Sequence, residues 1–196
     1  MHRAPMIDVR PLLGIFVGGR GSRMGGVAKG LLPEPHGTRS LVARLVDESR
    51  GLVRDVVLVG AHEAYEGLGL RTLADARAGC GPLAGLVSLL REGHEREVIA
   101  LACDLPFVDR AFLARLVDAS REAAIVAPRR DHGWEPLAAR YRSEVLAIAE
   151  ARLADGALSL QGLLHAVGAT ELPLEARERS VLDDWDSPED VARARR

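Results

Sequence analysis

Residues 17–30 read Val17-Gly18-Gly19-Arg20-Gly21-Ser22-Arg23-Met24-Gly25-Gly26-Val27-Ala28-Lys29-Gly30. Five glycines within nine positions (18, 19, 21, 25 and 26) remove the Cβ atoms that would hold a ligand off the backbone N–H groups. Arg20, Arg23 and Lys29 add three cations, and no acid interrupts them. Backbone donors combined with fixed positive charge suit a multiply charged anion, above all a triphosphate. The segment directly follows the apolar run 12–17, at the carboxyl end of an expected buried strand. A surface loop that is basic by composition alone fits that placement less well.

Register excludes the commoner glycine motifs. A Walker A loop needs Gly-Lys-Ser/Thr, but Lys29 stands between Ala28 and Gly30. A dinucleotide fingerprint beginning at Gly19 needs glycine where Met24 stands, which argues against a redox protein. A nucleophile elbow around Ser22 needs glycines at the positions of Arg20 and Met24.

Three groups of acids could complete a phosphate-transfer site. Asp104 follows the apolar run 98–102 and precedes Leu105-Pro106, again at a strand's carboxyl end. A carboxylate there can ligate magnesium while the metal bridges phosphate oxygens, although capping a turn before Pro106 is the simpler role. Asp75 ends the short run 70–74, where a solvated turn aspartate is equally natural. Asp184 and Asp186 flank Trp185; alternate residues of an extended segment face one way, so both could approach a metal. They serve as well for a polar turn ahead of a helix. Substitution at phosphorus needs no covalent enzyme chemistry, only in-line positioning and stabilisation of developing charge, a role for Lys29 and Arg23. His132 shows no sign of general-base work, and Cys103, beside a buried strand end, is expected to pack.

The elements that must position these residues alternate along the chain. Runs 12–17, 56–59, 98–102 and 124–127 are apolar and bounded by charge, glycine or proline, as buried strands are. Leu83, Leu86, Val87 and Leu90 recur at helical spacing with Pro82 in the first turn; Phe112, Leu113, Leu116 and Val117 do so with Asp109 as N-cap. Further on, 136–141 and 169–174 read as strands and 143–154 as a helix, with a last helix starting at Ser187. Alternating strands and helices predict an α/β fold with a mostly parallel sheet covered on both faces, and ligands then bind beyond the strands' carboxyl ends.

Bulk properties narrow the partners. The 196 residues fit one domain, 1–196, with no linker or repeat. A formal charge of -2 argues against neutralising a nucleic-acid backbone, and 4% aromatic residues are too few for a base-stacking platform. Cys80 and Cys103 form no CxxC pair, so neither a structural zinc nor a disulfide framework is expected. The apolar run 12–17 is too short for a secretory signal and the uncharged stretch 78–90 too short to span a bilayer, so no membrane and a cytoplasmic location are expected.

The string GGRGSRMGGVAKGLL resembles the nucleotide-binding signature of molybdenum cofactor guanylyltransferases, which is close to Gly-Gly-x-Ser-x-Arg-Met-Gly-x-x-Lys. The resemblance continues through Gly81-Pro82-Leu83-Ala84-Gly85, Ala102-Cys103-Asp104-Leu105-Pro106-Phe107, Glu135-Pro136-Leu137-Ala138 and Asp186-Ser187-Pro188-Glu189-Asp190, in the family's order. It implies a Rossmann-like three-layer sandwich that transfers GMP from GTP to the phosphate of molybdopterin or Mo-molybdopterin, with Mg2+ bound and pyrophosphate released. It implies nucleotide contacts from Val17, Gly18, Gly19, Arg20, Gly21, Ser22, Arg23, Lys29, Gly60, Asp75 and Asp104. Arg23, Lys29 and Asp104 would be catalytic, Asp104, Asp184 and Asp186 metal-binding, and Asp75 the reader of guanine. His132, Gly133 and Trp134 would border the acceptor, and transient contact with other molybdenum cofactor proteins would follow.

Three departures bear on the base: Val17 replaces an alanine, Ala28 an acid, and Val59-Gly60-Ala61-His62 lacks an asparagine common there. Cytidylyltransferase relatives open the loop with Ala-Ala-Gly, so Gly18-Gly19 favours guanine. The alternatives are a related enzyme using CTP on molybdopterin or acting on a sugar phosphate, and a non-catalytic GTP-binding protein. Retention of Lys29 with Asp104 weighs against the last.

Overall fold

Strand β1 (Leu12–Phe16) is buried at every position, as a strand covered on both faces must be. In the computed structural model, which describes residues 9–18, 28–60, 62–175 and 178–185, it lies at the centre of a seven-stranded sheet ordered β3-β2-β1-β4-β8-β5-β9. The neighbours of β1 are β2 (Asp55–Val59) and β4 (Val98–Ala102), both parallel to it; β3 (Arg71–Leu73) extends the sheet beyond β2. Beyond β4 come β8 (Ala138–Tyr141), the one antiparallel strand of this sheet, then β5 (Ile125–Ala127) and β9 (Thr170–Glu171). Two-residue strands β6 (Arg129–Arg130) and β7 (Gly133–Trp134) form a separate hairpin.

Side-chain alternation along β1 sorts the core into two layers. Leu12 and Phe16 pack under α2 (Pro82–Gly93), α4 (Val145–Ala154) and α5 (Leu160–Val167). Leu13, Ile15 and Val17 face α1 (Leu41–Ser49) and α3 (Arg110–Asp118). Pro82 occupies the first turn of α2, and Asp109 caps α3 by accepting from the Phe112 N–H at 2.9 Å. The three-layer, mostly parallel sandwich is the expected fold. Helices α1 and α5, both capped by serine, were not anticipated from periodicity; the expected strand 169–174 forms a ladder only at Thr170–Glu171. The helix expected from Ser187 lies outside the described residues. No helix among the described residues is long and apolar enough to cross a membrane.

From β1 the chain runs to β2 and β3 on one side, then crosses to β4 on the other, so the topological switch point lies between β1 and β4. Their carboxyl ends are stitched together: the Cys103 N–H donates to the Phe16 carbonyl at 3.1 Å. Across the other side the Val17 N–H donates to the Val59 carbonyl at 3.0 Å. That closeness leaves Gly60 no room. At its φ of +98° a Cβ would lie 2.8 Å from the Gly18 Cα, against backbone that cannot yield. Gly60→Ala is therefore expected to cost about 1–3 kcal/mol of unfolding free energy, from strain at a left-handed position plus the backbone clash, measured by urea denaturation.

Candidate active site

Beyond the carboxyl ends of β1, β2 and β4 opens a cleft of about 370 Å³, within the range of small-ligand sites. Phe16, Val17 and Gly18 from β1, Val59 from β2, Ala102, Cys103 and Asp104 from β4, and Gly81-Pro82 at the start of α2 line it. The N-terminus of α2 turns the positive end of its dipole toward this cleft. Lys29 heads a single 3₁₀ turn, Lys29–Leu31, and its Nζ lies 3.0 Å from Asp104 Oδ2. Both side chains are about one-fifth exposed, which keeps the pair open to a ligand. The two residues are 75 apart in sequence, and the β1–β4 pairing unites them.

Asp75 lines the opposite side of the cleft, beyond β3. Its Oδ1 would stand 3.2 Å from a Cβ at Gly85 of α2, so that glycine gives the carboxylate its place. Partial burial raises the Asp75 carboxyl above its ordinary value. Gly60 does not line the cleft; it supports Gly18 from behind. Gly19, Arg20, Gly21, Ser22, Arg23 and Asp186 lie outside the described residues.

The C-terminal segment reaches the site by a chain of polar ties. Arg115 pairs with the buried Glu178 and donates to the Pro173 carbonyl at 2.6 Å. Arg130 donates to the Leu182 carbonyl at 2.7 Å and pairs with Asp183 at 2.9 Å. The Trp185 N–H then donates to the Asp104 carbonyl at 3.0 Å, and the indole is 1% exposed. Asp184 is therefore carried next to the Asp104 backbone, while its charge also acts on Glu135. Burial raises the Glu135 carboxyl, against the pull of His132, which it meets at 2.9 Å, and of Arg130. His132 is itself exposed and reaches Glu135 through its Nε2. Gln161 clamps the neighbouring Trp134 by accepting from its N–H at 3.0 Å and donating to its carbonyl at 2.6 Å.

A metal held wholly by protein does not fit: no group of three His, Cys, Asp or Glu side chains among the described residues could enclose one. A hard cation that takes one or two carboxylates and fills its shell with phosphate oxygens and water does fit at Asp104.

Residue spacing did not point to His62 and Tyr65, which also line the cleft. They sit on the 3₁₀ segment Glu63–Leu68 and its cap, with the His62 Nδ1 accepting from the Ala64 N–H at 3.2 Å. Composition also singles out Lys29, the sole lysine in a chain with 26 lysines and arginines. Every other basic position is arginine, which marks 29 as a place for a compact, flexible ammonium.

Lys29 and Asp104 thus meet at the switch point of a mostly parallel sheet, where α/β folds bind their ligands. The profile of the MobA-like NTP transferase domain matches residues 14–170, and the chain belongs to that family. It is 36% identical over 184 residues to the molybdenum cofactor guanylyltransferase of Pseudomonas putida, covering 89% of this chain and 92% of that one. With the enzyme of the same name from Pseudomonas entomophila it shares 35% identity over 191 residues, or 94% and 98% of the two chains. Among solved structures, molybdopterin-guanine dinucleotide biosynthesis protein A from Archaeoglobus fulgidus superposes with a TM-score of 0.77 at 23% identity, covering 94% of this chain and 96% of that one. The 2-C-methyl-D-erythritol 4-phosphate cytidylyltransferase of Thermus thermophilus superposes at 0.66 and 17%, with the same coverage. At those identities the likeness is one of fold.

Trp185 is the largest fully buried side chain of the described residues. Trp185→Ala is expected to cost about 3–5 kcal/mol in urea unfolding. It should also speed limited proteolysis around residues 178–185, because the tie to Asp104 loses its anchor.

Proposed function

We propose that this protein, acting as one domain over 1–196, transfers GMP from GTP to the terminal phosphate of molybdopterin or Mo-molybdopterin. The observation that carries the reading is the Lys29–Asp104 pair at the switch point, with Asp75 across the same cleft. The acceptor's phosphate monoester is ionised at neutral pH, so no general base is required. Its oxygen attacks the α-phosphorus, and the bond to the β-phosphate oxygen breaks opposite to it, releasing pyrophosphate. Lys29 places a cation against the phosphates, where charge builds on the leaving group. Arg23 is assigned the same task from the glycine-rich loop.

Asp104 would hold a divalent cation, Mg2+ in this reading, with Asp184 and Asp186 close enough in sequence to Trp185 to assist. When bound, that ion neutralises phosphate charge and holds the reacting oxygens in line. In the ligand-free protein the Lys29 ammonium stands 3.0 Å from Asp104, beside the carboxylate where the cation would bind. Asp75 supplies two acceptors for the guanine N1–H and 2-amino group, a donor pair that cytosine cannot match.

Asp104→Asn should leave the fold intact and lower GTP-dependent pyrophosphate release with molybdopterin by about 100-fold or more. Lys29→Arg should fail comparably despite keeping the charge, because a planar guanidinium cannot take the place of the ammonium between Asp104 and the phosphates. A folded Asp104→Asn variant with near-normal turnover would overturn the assignment.

Base choice has its own test, since the fold is shared with a cytidylyltransferase. The ratio of kcat/KM for GTP over CTP is expected to reach at least about tenfold, or 1.4 kcal/mol. Asp75→Asn should erode that ratio more than it lowers the maximal rate with GTP. A wild-type preference for CTP would replace guanylyl by cytidylyl transfer.

A further inference from the structure

Tyr65 is 3% exposed and lies in the layer between the sheet and α1, yet its hydroxyl reaches the floor of the cleft. The oxygen accepts from the Gly30 N–H at 3.0 Å. Gly30 is the residue after Lys29, and it has no side chain for a physical reason: a Cβ would meet Val42 at 2.7 Å and the Tyr65 hydroxyl at 3.0 Å. Tyr65 shares its buried layer with Cys103, the residue before Asp104, and both line the cleft. The phenol oxygen is therefore bonded to the residue after Lys29, in the layer that also holds the residue before Asp104. The ring is fixed in turn by the Tyr65 N–H, which donates to the His62 carbonyl at 3.1 Å, and by edge contact with the His62 ring at 5.4 Å.

We infer that Tyr65 is a positioning residue for nucleotidyl transfer. Its hydroxyl sets Lys29 against Asp104 by accepting from the N–H of Gly30, the residue that follows the lysine. Lys29 belongs to a loop and Asp104 to a strand end, and no β-ladder holds the loop residue in register. The hydroxyl supplies that register. Through His62 it also joins the Lys29 turn to the rim of the cleft beyond β2. A side chain that only filled the core would need the ring and not the oxygen.

The inference rests on Lys29 and Asp104 forming the reactive pair proposed above, and its test has one readout that needs no turnover. Lys29 is the sole lysine, so acetylation by a lysine-directed ester, quantified by mass spectrometry on the peptide that contains it, reports the state of this one amine in the ligand-free protein. In the wild type, ion pairing and partial burial protect it. Tyr65→Phe keeps the ring and removes the hydroxyl. It should raise the acetylation rate at Lys29 by about threefold or more, and lower kcat about tenfold with the KM for GTP within about threefold, because alignment rather than binding is lost. The Mg2+ concentration for half-maximal rate should rise alongside.

Should Tyr65→Phe not fold, Tyr65→Met, whose flexible side chain fills the space without the hydroxyl, carries the test and should raise Lys29 acetylation in the same direction. A folded variant with acetylation, kcat and Mg2+ dependence all within about twofold of wild type would overturn the inference. If the wild type released no pyrophosphate from GTP, the functional reading would fail, and Lys29 acetylation would still decide whether the hydroxyl holds the pair.

Discussion

The parallel pairing of β1 with β4 is the constraint on which the site depends. Five residue pairs, from Leu12 with Val98 to Phe16 with Ala102, bring two strand ends side by side that lie far apart in sequence. From one end the chain leaves as a glycine-rich segment, and from the other it leaves as Cys103-Asp104. A shift of one residue in this register would turn every side chain of one strand to the opposite layer. The two cores are well separated, so the buried side chains of both layers enforce the register and with it the distance between Lys29 and Asp104.

The ion pair itself contributes little to holding the fold. Both partners are partly exposed, and pairs of that kind are screened by solvent and worth about 1 kcal/mol or less. Under the proposed function it would keep two opposite charges in place until a triphosphate with its cation offered each a stronger partner. Buried polar groups elsewhere are arranged differently. Arg140 of β8 is wholly buried and donates to both Glu97 carboxylate oxygens at 3.2 and 3.1 Å and to the Ser120 carbonyl. Removing one member there would strand a buried charge. Structural and chemical ion pairs in this protein are thus distinguished by solvent access.

The C-terminal segment completes the site from outside the sheet. Its ties to Arg115 and Arg130 are side chain to backbone or charge to charge, which fix direction, and the indole of Trp185 supplies the buried area that makes docking favourable. Because the Trp185 N–H ends on the Asp104 carbonyl, the acids beside this tryptophan are coupled to the strand end that carries the reactive carboxylate. The hairpin with Trp134 is anchored by the same Arg130, so cleft floor and outer wall share a support.

Much of this was legible in the residues alone. Apolar runs marked β1, β2 and β4, because a strand buried on both faces cannot hide polar groups, and Pro82 and Asp109 marked helix starts by their own chemistry. Glycine spacing and uninterrupted positive charge marked the anion loop, and the order of the motifs marked the family. What the residues could not show was anything that depends on two distant segments meeting. Helix α1 is short, with Leu41, Val42 and Leu45 as its buried apolar face, and it is held by packing on the sheet and against α3. The neutralisation of Asp104 by Lys29, the backing of Gly18 by Gly60 and the seat of Asp75 on Gly85 each required the sheet to be assembled. Tyr65 is the plainest case. In sequence it is one aromatic residue in a polar stretch, and only tertiary contact gives its hydroxyl the Gly30 N–H as a partner 35 residues away, since hydrogen bonds are directional and their partners are set by the fold.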